Sequence, residues 1–116
     1  MTFGEYIKNH RIDKRIPQKV MCEKLNISAT YLCDIENDRR NPPEIEKLEK
    51  MIEVLELTKE ETEIFYDLAG EKRDGVPIDL IQYIRDNEEV RIALRKARDG
   101  KASDKDWTSF GDKYKH

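Results

Sequence analysis

The stretch from Gln18 to Asn37, QKVMCEKLNISATYLCDIEN, restricts the fold of this chain more than any other feature. Apolar residues recur at helical spacing on both sides of Asn26-Ile27, with Met21, Cys22 and Leu25 before it and Leu32 and Ile35 after it. Ser28 has the side chain of a helix N-cap. Asn26 is one of the few non-glycine residues that tolerate a left-handed backbone. So short a connection forces the two helices to cross steeply. A steep crossing needs a small side chain where the helices touch, and Cys22 supplies it. Met21, Leu25, Ile27, Leu32 and Ile35 then close the wedge, and the second helix stands out from the body.

The flanking sequence is helical too, and no stretch alternates with period two long enough to make a strand. Thr2 and Glu5 have the spacing of a capping box for a first helix that buries Phe3 and Ile7. Pro17 suits the first turn of the second helix. After an arginine- and proline-rich loop at 37–43, a fourth helix from Pro43 to about Leu57 carries a stripe of Ile45, Leu48, Ile52 and Leu55. Thr58 and Glu61 cap a fifth helix, which turns Ile64, Phe65 and Leu68 inward and is expected to end at Gly70. A charged linker at 71–75 leads to further helices, the last capped by Ser103 and carrying Trp107, Phe110 and Tyr114 at i, i+3, i+7. That aromatic stripe reads as core or dimer contact rather than a ligand site. The expected architecture is all-α, with a five-helix domain over residues 1–70 and a helical extension over 71–116 that offers a region for dimerisation or partner binding.

Charge separates these segments. Residues 1–42 hold eight Lys/Arg against six Asp/Glu, residues 43–75 five against eleven, and residues 76–116 nine against eight. Any contact with a polyanion therefore belongs to the first third, with the acidic middle turned away from phosphate. Two cysteines, Cys22 and Cys33, make no disulfide framework, and with His10 and His116 they match no zinc spacing. No metal and no cofactor is expected. There is no Gly-rich phosphate loop and no Ser/His/Asp set, and Glu60-Glu61 lies where a helix dipole favours acids, so catalysis is not expected. No apolar run approaches the roughly 20 residues that span a bilayer, and the first residues lack a signal-peptide pattern. A cytoplasmic protein without membrane contact is the expectation.

On Gln18, Cys22, the run Ile27-Ser28-Ala29-Thr30-Tyr31-Leu32 and the tail from Asp34 to Pro42, the chain resembles the lambda-repressor/Cro (Xre-type) helix-turn-helix family over about residues 2–68. It departs from the family in having Asn26 for the usual turn glycine and Cys22 for the more common alanine. The resemblance implies a lambda-repressor-like fold that binds double-stranded DNA, with the second short helix in the major groove. It implies that Gln18 binds a phosphate and braces a base-contacting side chain. Ser28, Ala29, Thr30, Tyr31 and Asp34 would face the groove, and Arg39 and Arg40 would grip phosphates just beyond. Arg11 and Glu36 occupy the positions of a structural ion pair.

On chemistry, Ala29 or the Thr30 methyl suits a thymine methyl, and Asp34 suits either a cytosine amine or plain solvation. Tyr31 fits DNA contact or packing. No Arg or Lys is expected on this surface, so the commonest guanine contact would be missing and DNA shape would matter more. A regulator of this kind reads a palindromic operator as a homodimer, with recognition helices about 34 Å apart. The alternative is an antitoxin that binds its own promoter and holds a toxin protein. It rests on the small size and on the likeness of the segment from Pro77 to Arg98 to one seen in Xre-type regulators.

Overall fold

A computed structural model describes residues 1–73 and 75–114. Its described residues form eight helices and no strand: α1 (Phe3–Asp13), α2 (Gln18–Leu25), α3 (Ala29–Glu36), α4 (Ile45–Leu55), α5 (Lys59–Lys72), α6 (Ile78–Asp86), α7 (Glu88–Asp99) and α8 (Asp104–Gly111). The described residues are all-α, as the periodicity of the sequence leads one to expect. It divides into two compact units, Met1–Ile81 and Gln82–His116.

The first unit has a continuous core. Phe3, Tyr6 and Ile7 of α1 meet Met21, Cys22 and Leu25 of α2, Leu32 and Ile35 of α3, Leu48, Met51 and Leu55 of α4, and Phe65, Tyr66 and Ala69 of α5. The Phe3 and Phe65 rings pack tilted, with centroids 5.2 Å apart. The Tyr6 hydroxyl donates to the Glu61 carbonyl at 2.9 Å, fixing α1 on the first turn of α5. Burial pushes the Tyr6 hydroxyl above its ordinary pKa, and the nearby Glu61 charge adds to the effect.

Three details differ from the periodicity. On α4 the buried line is Leu48, Met51 and Leu55, while Ile45 and Ile52 lie half-buried at its margins. Residues three and four apart share a face, so Met51 belongs to the stripe that Ile45 and Ile52 flank. On α5, Ile64 is exposed and the inward line is Phe65, Tyr66 and Ala69. Gly70 does not end α5, which continues to Lys72. It is instead a point of close approach: a Cβ there would lie 2.7 Å from the Pro77 nitrogen. The chain after α5 folds back on this bare turn, and the first unit runs to Ile81. Gly4 plays a similar part on α1, where a Cβ would sit 2.5 Å from the Ile35 carbonyl oxygen.

In the second unit no side chain of α7 or α8 is buried. Ser103 and Asp106 form a reciprocal capping box at the start of α8. The Phe110 ring stands between Trp107 (centroids 6.1 Å apart) and Tyr114 (5.4 Å), and all three rings are exposed. Within one chain this stripe is surface, not core.

Candidate nucleic-acid interface

The connection between α2 and α3 determines how α3 is presented. Asn26 takes the left-handed conformation (φ 55°, ψ 51°), and its amide closes onto the Cys22 and Glu23 carbonyls. Lys47 reaches back from α4 and donates to the Leu25 carbonyl at 2.6 Å, satisfying an acceptor that the helix end leaves open. The Ser28 hydroxyl then accepts from the Tyr31 amide at 3.0 Å and starts α3. The Cys22 thiol, small enough to sit in the crossing, lies 3.6 Å from the Ser28 carbonyl. Burial raises its pKa, and the Glu36 charge reinforces the shift.

Leu32, Ile35 and Glu36 are the buried residues of α3, which leaves the opposite side outward. Ala29 and Thr30 are exposed there, and Tyr31, Cys33 and Asp34 are half-buried at its margins. Cys33 and Asn37 are i+3 and i+7 from Thr30, so they extend the same ridge, although the resemblance gave them no role. The Asn37 amide donates to the Cys33 carbonyl at 2.8 Å and so runs along the helix end.

The inner side of α3 is fixed by a polar network. Glu36, nearly inaccessible to solvent, accepts from Arg11 Nε at 2.6 Å, Arg11 Nη2 at 3.0 Å and Gln18 Nε2 at 3.0 Å. Arg11 Nη1 donates to the Ile16 carbonyl at 3.0 Å. Both carboxylate oxygens are thus used, the geometry in which a buried ion pair holds rather than destabilises. The network ties α1, the start of α2 and the end of α3 together. It also leaves Gln18 braced at the edge of the outward face.

Arg39 and Arg40 follow α3, and the structure corrects the expectation that this surface carries no cation. Arg40 folds back over α3 until its guanidinium carbon lies 4.7 Å from the centre of the Tyr31 ring. Arg40 Nη2 lies 3.8 Å from one Asp34 carboxylate oxygen, and Arg39 Nη1 lies 3.7 Å from the other. The backbone brings them back: Asp38 takes a left-handed conformation (φ 57°), and the Arg39 amide donates to the Asp34 carbonyl at 2.8 Å. Sequence order alone puts Arg40 outside the helix; the left-handed turn at Asp38 returns it to the face. Lys19 lies exposed beside Gln18, and Lys14 and Arg15 are exposed in the connector before it.

A Helix-turn-helix family model matches residues 7–61. The immunity repressor protein of Bacillus phage phi105 is 48% identical over 42 residues, which cover 36% of this chain and 29% of that protein. The match therefore spans less than a third of that relative's length. A solved complex of SinR protein with SinI protein is similar over 96% of this chain and 92% of that one, at 23% identity and a TM-score of 0.46.

Proposed function

We propose that the chain is a sequence-specific DNA-binding transcriptional regulator of the Xre-type helix-turn-helix family, acting in the cytoplasm as a homodimeric repressor of a palindromic operator, a reading supported by the Helix-turn-helix model that matches residues 7–61. The observation that carries this reading is the outward face of α3. Ala29 and Thr30 stand exposed at the start of a helix whose other side is anchored by the Arg11–Glu36–Gln18 network. A helix held in this way can enter a major groove without first becoming ordered.

In this proposal residues 1–70 are the DNA-binding domain and residues 71–116 the helical extension. Ala29 and the Thr30 methyl meet thymine methyl groups, and Ser28, Tyr31 and Asp34 border them. Gln18 contacts a phosphate from the start of α2, and Arg39 and Arg40 supply the cationic flank. One recognition helix covers too few base pairs for useful discrimination, so a second copy is required. The extension suits that role. Glu88 and Glu89 open α7, and Lys96 and Arg98 lie in its last turn, so two copies of α7 set antiparallel meet with opposite charges at both ends.

The test is a mobility-shift titration of the full chain on the DNA upstream of its own gene, together with sedimentation of the free protein. A retarded complex containing two chains supports the proposal. The absence of any complex at low salt refutes DNA binding, and a complex with one chain refutes the dimer.

A further inference from the structure

The loop that carries Arg39 and Arg40 is held at both ends by groups away from the outward face. On one side, the Asp38 carboxylate accepts from the Gly4 amide at 3.0 Å and from the Thr2 hydroxyl, and the Asp38 carbonyl accepts from Lys72 Nζ at 2.9 Å. On the other, the Pro42 carbonyl accepts from Arg73 Nε at 3.0 Å and also from Arg73 Nη2. Between these anchors the Arg40 guanidinium is placed a second time, by stacking on Tyr31 and by the charge of Asp34.

A phosphate contact does not demand such preparation. A phosphate oxygen accepts from many directions, and a flexible lysine serves nearly as well. A guanine edge is more exacting, because O6 and N7 must both be met by the same planar side chain. Fixing that plane beforehand removes ordering cost at the moment of binding. Resting on the DNA-binding reading above, we propose that Arg40 reads a guanine in the major groove, with Asp34 and Tyr31 as the residues that position it. Arg39, whose side chain is 65% exposed and lies 3.7 Å from Asp34, remains the phosphate contact. Asp34 then acts as a brace rather than a reader of cytosine. With two guanidiniums beside it, its charge no longer opposes approach to the DNA backbone.

The test is a selection of bound sequences from random duplexes with the full chain and with R40A, R39A and D34N, followed by binding curves at several salt concentrations. The wild-type protein is expected to recover a guanine in each half-site whose replacement weakens binding about tenfold or more. R40A should lose that one preference and keep the others. R39A should weaken all sequences alike and lower the salt slope by about 1. D34N should blunt the guanine preference while raising affinity for unrelated DNA. The proposal is overturned if R40A weakens every sequence equally, with the guanine still preferred and the salt slope reduced. It is equally overturned if D34N alters the preference and R40A does not, because Asp34 would then read the base itself. Wild-type protein that retains no duplex at low salt would overturn the DNA-binding reading and this inference together, whereas either R40A result leaves that reading standing.

Discussion

Replacing Glu36 with alanine offers the sharpest test of the idea that α3 is held from behind. The carboxylate is 4% exposed as a residue and accepts three charge-assisted hydrogen bonds, two from Arg11 and one from Gln18. Its removal strands the Arg11 guanidinium in a site 8% exposed, with the Ile16 carbonyl as its one remaining hydrogen-bond partner among the described residues. Three such bonds at about 1.5 kcal/mol or more each set the gross loss near 5 kcal/mol. Partial hydration of the emptied site brings the expected cost to about 3–5 kcal/mol, the range for breaking one side of a buried pair. Total stabilities of small domains are roughly 5–15 kcal/mol, so the change removes about a fifth of the stability at the least and nearly all of it in a marginal domain. Urea denaturation followed by far-ultraviolet circular dichroism measures it, with an unchanged m-value showing that the unfolded state is not altered. The double variant R11M/E36L should recover most of the loss, because two apolar side chains leave no charge stranded. An E36A cost below about 1 kcal/mol, or a double variant worse than the single one, would refute the reasoning by showing that water reaches the pair.

Three further outcomes follow from the same geometry. Gly4→Ala should cost about 1–3 kcal/mol in thermal or urea unfolding, because its Cβ would press on the backbone carbonyls of Ile35 and Glu36 rather than on a movable side chain; a neutral substitution would mean that α1 and α3 can separate freely. With a thiol reagent at pH 8, Cys33 should label in the folded protein, while Cys22, buried and with its thiol pKa raised by that burial, should label only on unfolding; comparable rates at both would count against the tight α2–α3 crossing. The Glu61 carboxylate is held below its ordinary pKa chiefly by the Thr58 backbone amide. Its contribution to stability is therefore present above the unfolded carboxylate value and lost as pH falls through the lower folded value; E61Q should flatten that acid-side loss, and an unchanged pH profile would argue against the cap.

The fold was legible because each of its decisions is local. Asn26 and Ser28 announce a stop and a start two residues apart, and the spacing of Leu32 and Ile35 already determines which side of α3 is turned away from the core. The departures arise where distant chain segments meet. Nothing around Gly70 says that Val76 and Pro77 will lie against it, so the residue reads as a helix end rather than as a docking notch. Met51 is not needed for the α4 stripe to be read, because Ile45, Leu48, Ile52 and Leu55 are a sufficient helical pattern without it, and only packing against the other helices decides which line is central. The position of Arg40 was hidden for a different reason. It depends on a left-handed Asp38, a residue whose carboxylate is occupied by Thr2 and Gly4, more than thirty positions away. The outward face of α3 could be read from its periodicity, but the cation that completes it could not.

The bond from Lys47 to the end of α2 bears on how this motif can be moved between proteins. The bend between the two helices is completed by an ammonium from a third, so a twenty-residue peptide cut from Gln18 to Asn37 lacks part of its own hinge. Transplanting α3 into another scaffold would require a host cation at the equivalent height above the Leu25 carbonyl. Without one, the graft would carry the right letters at the wrong tilt.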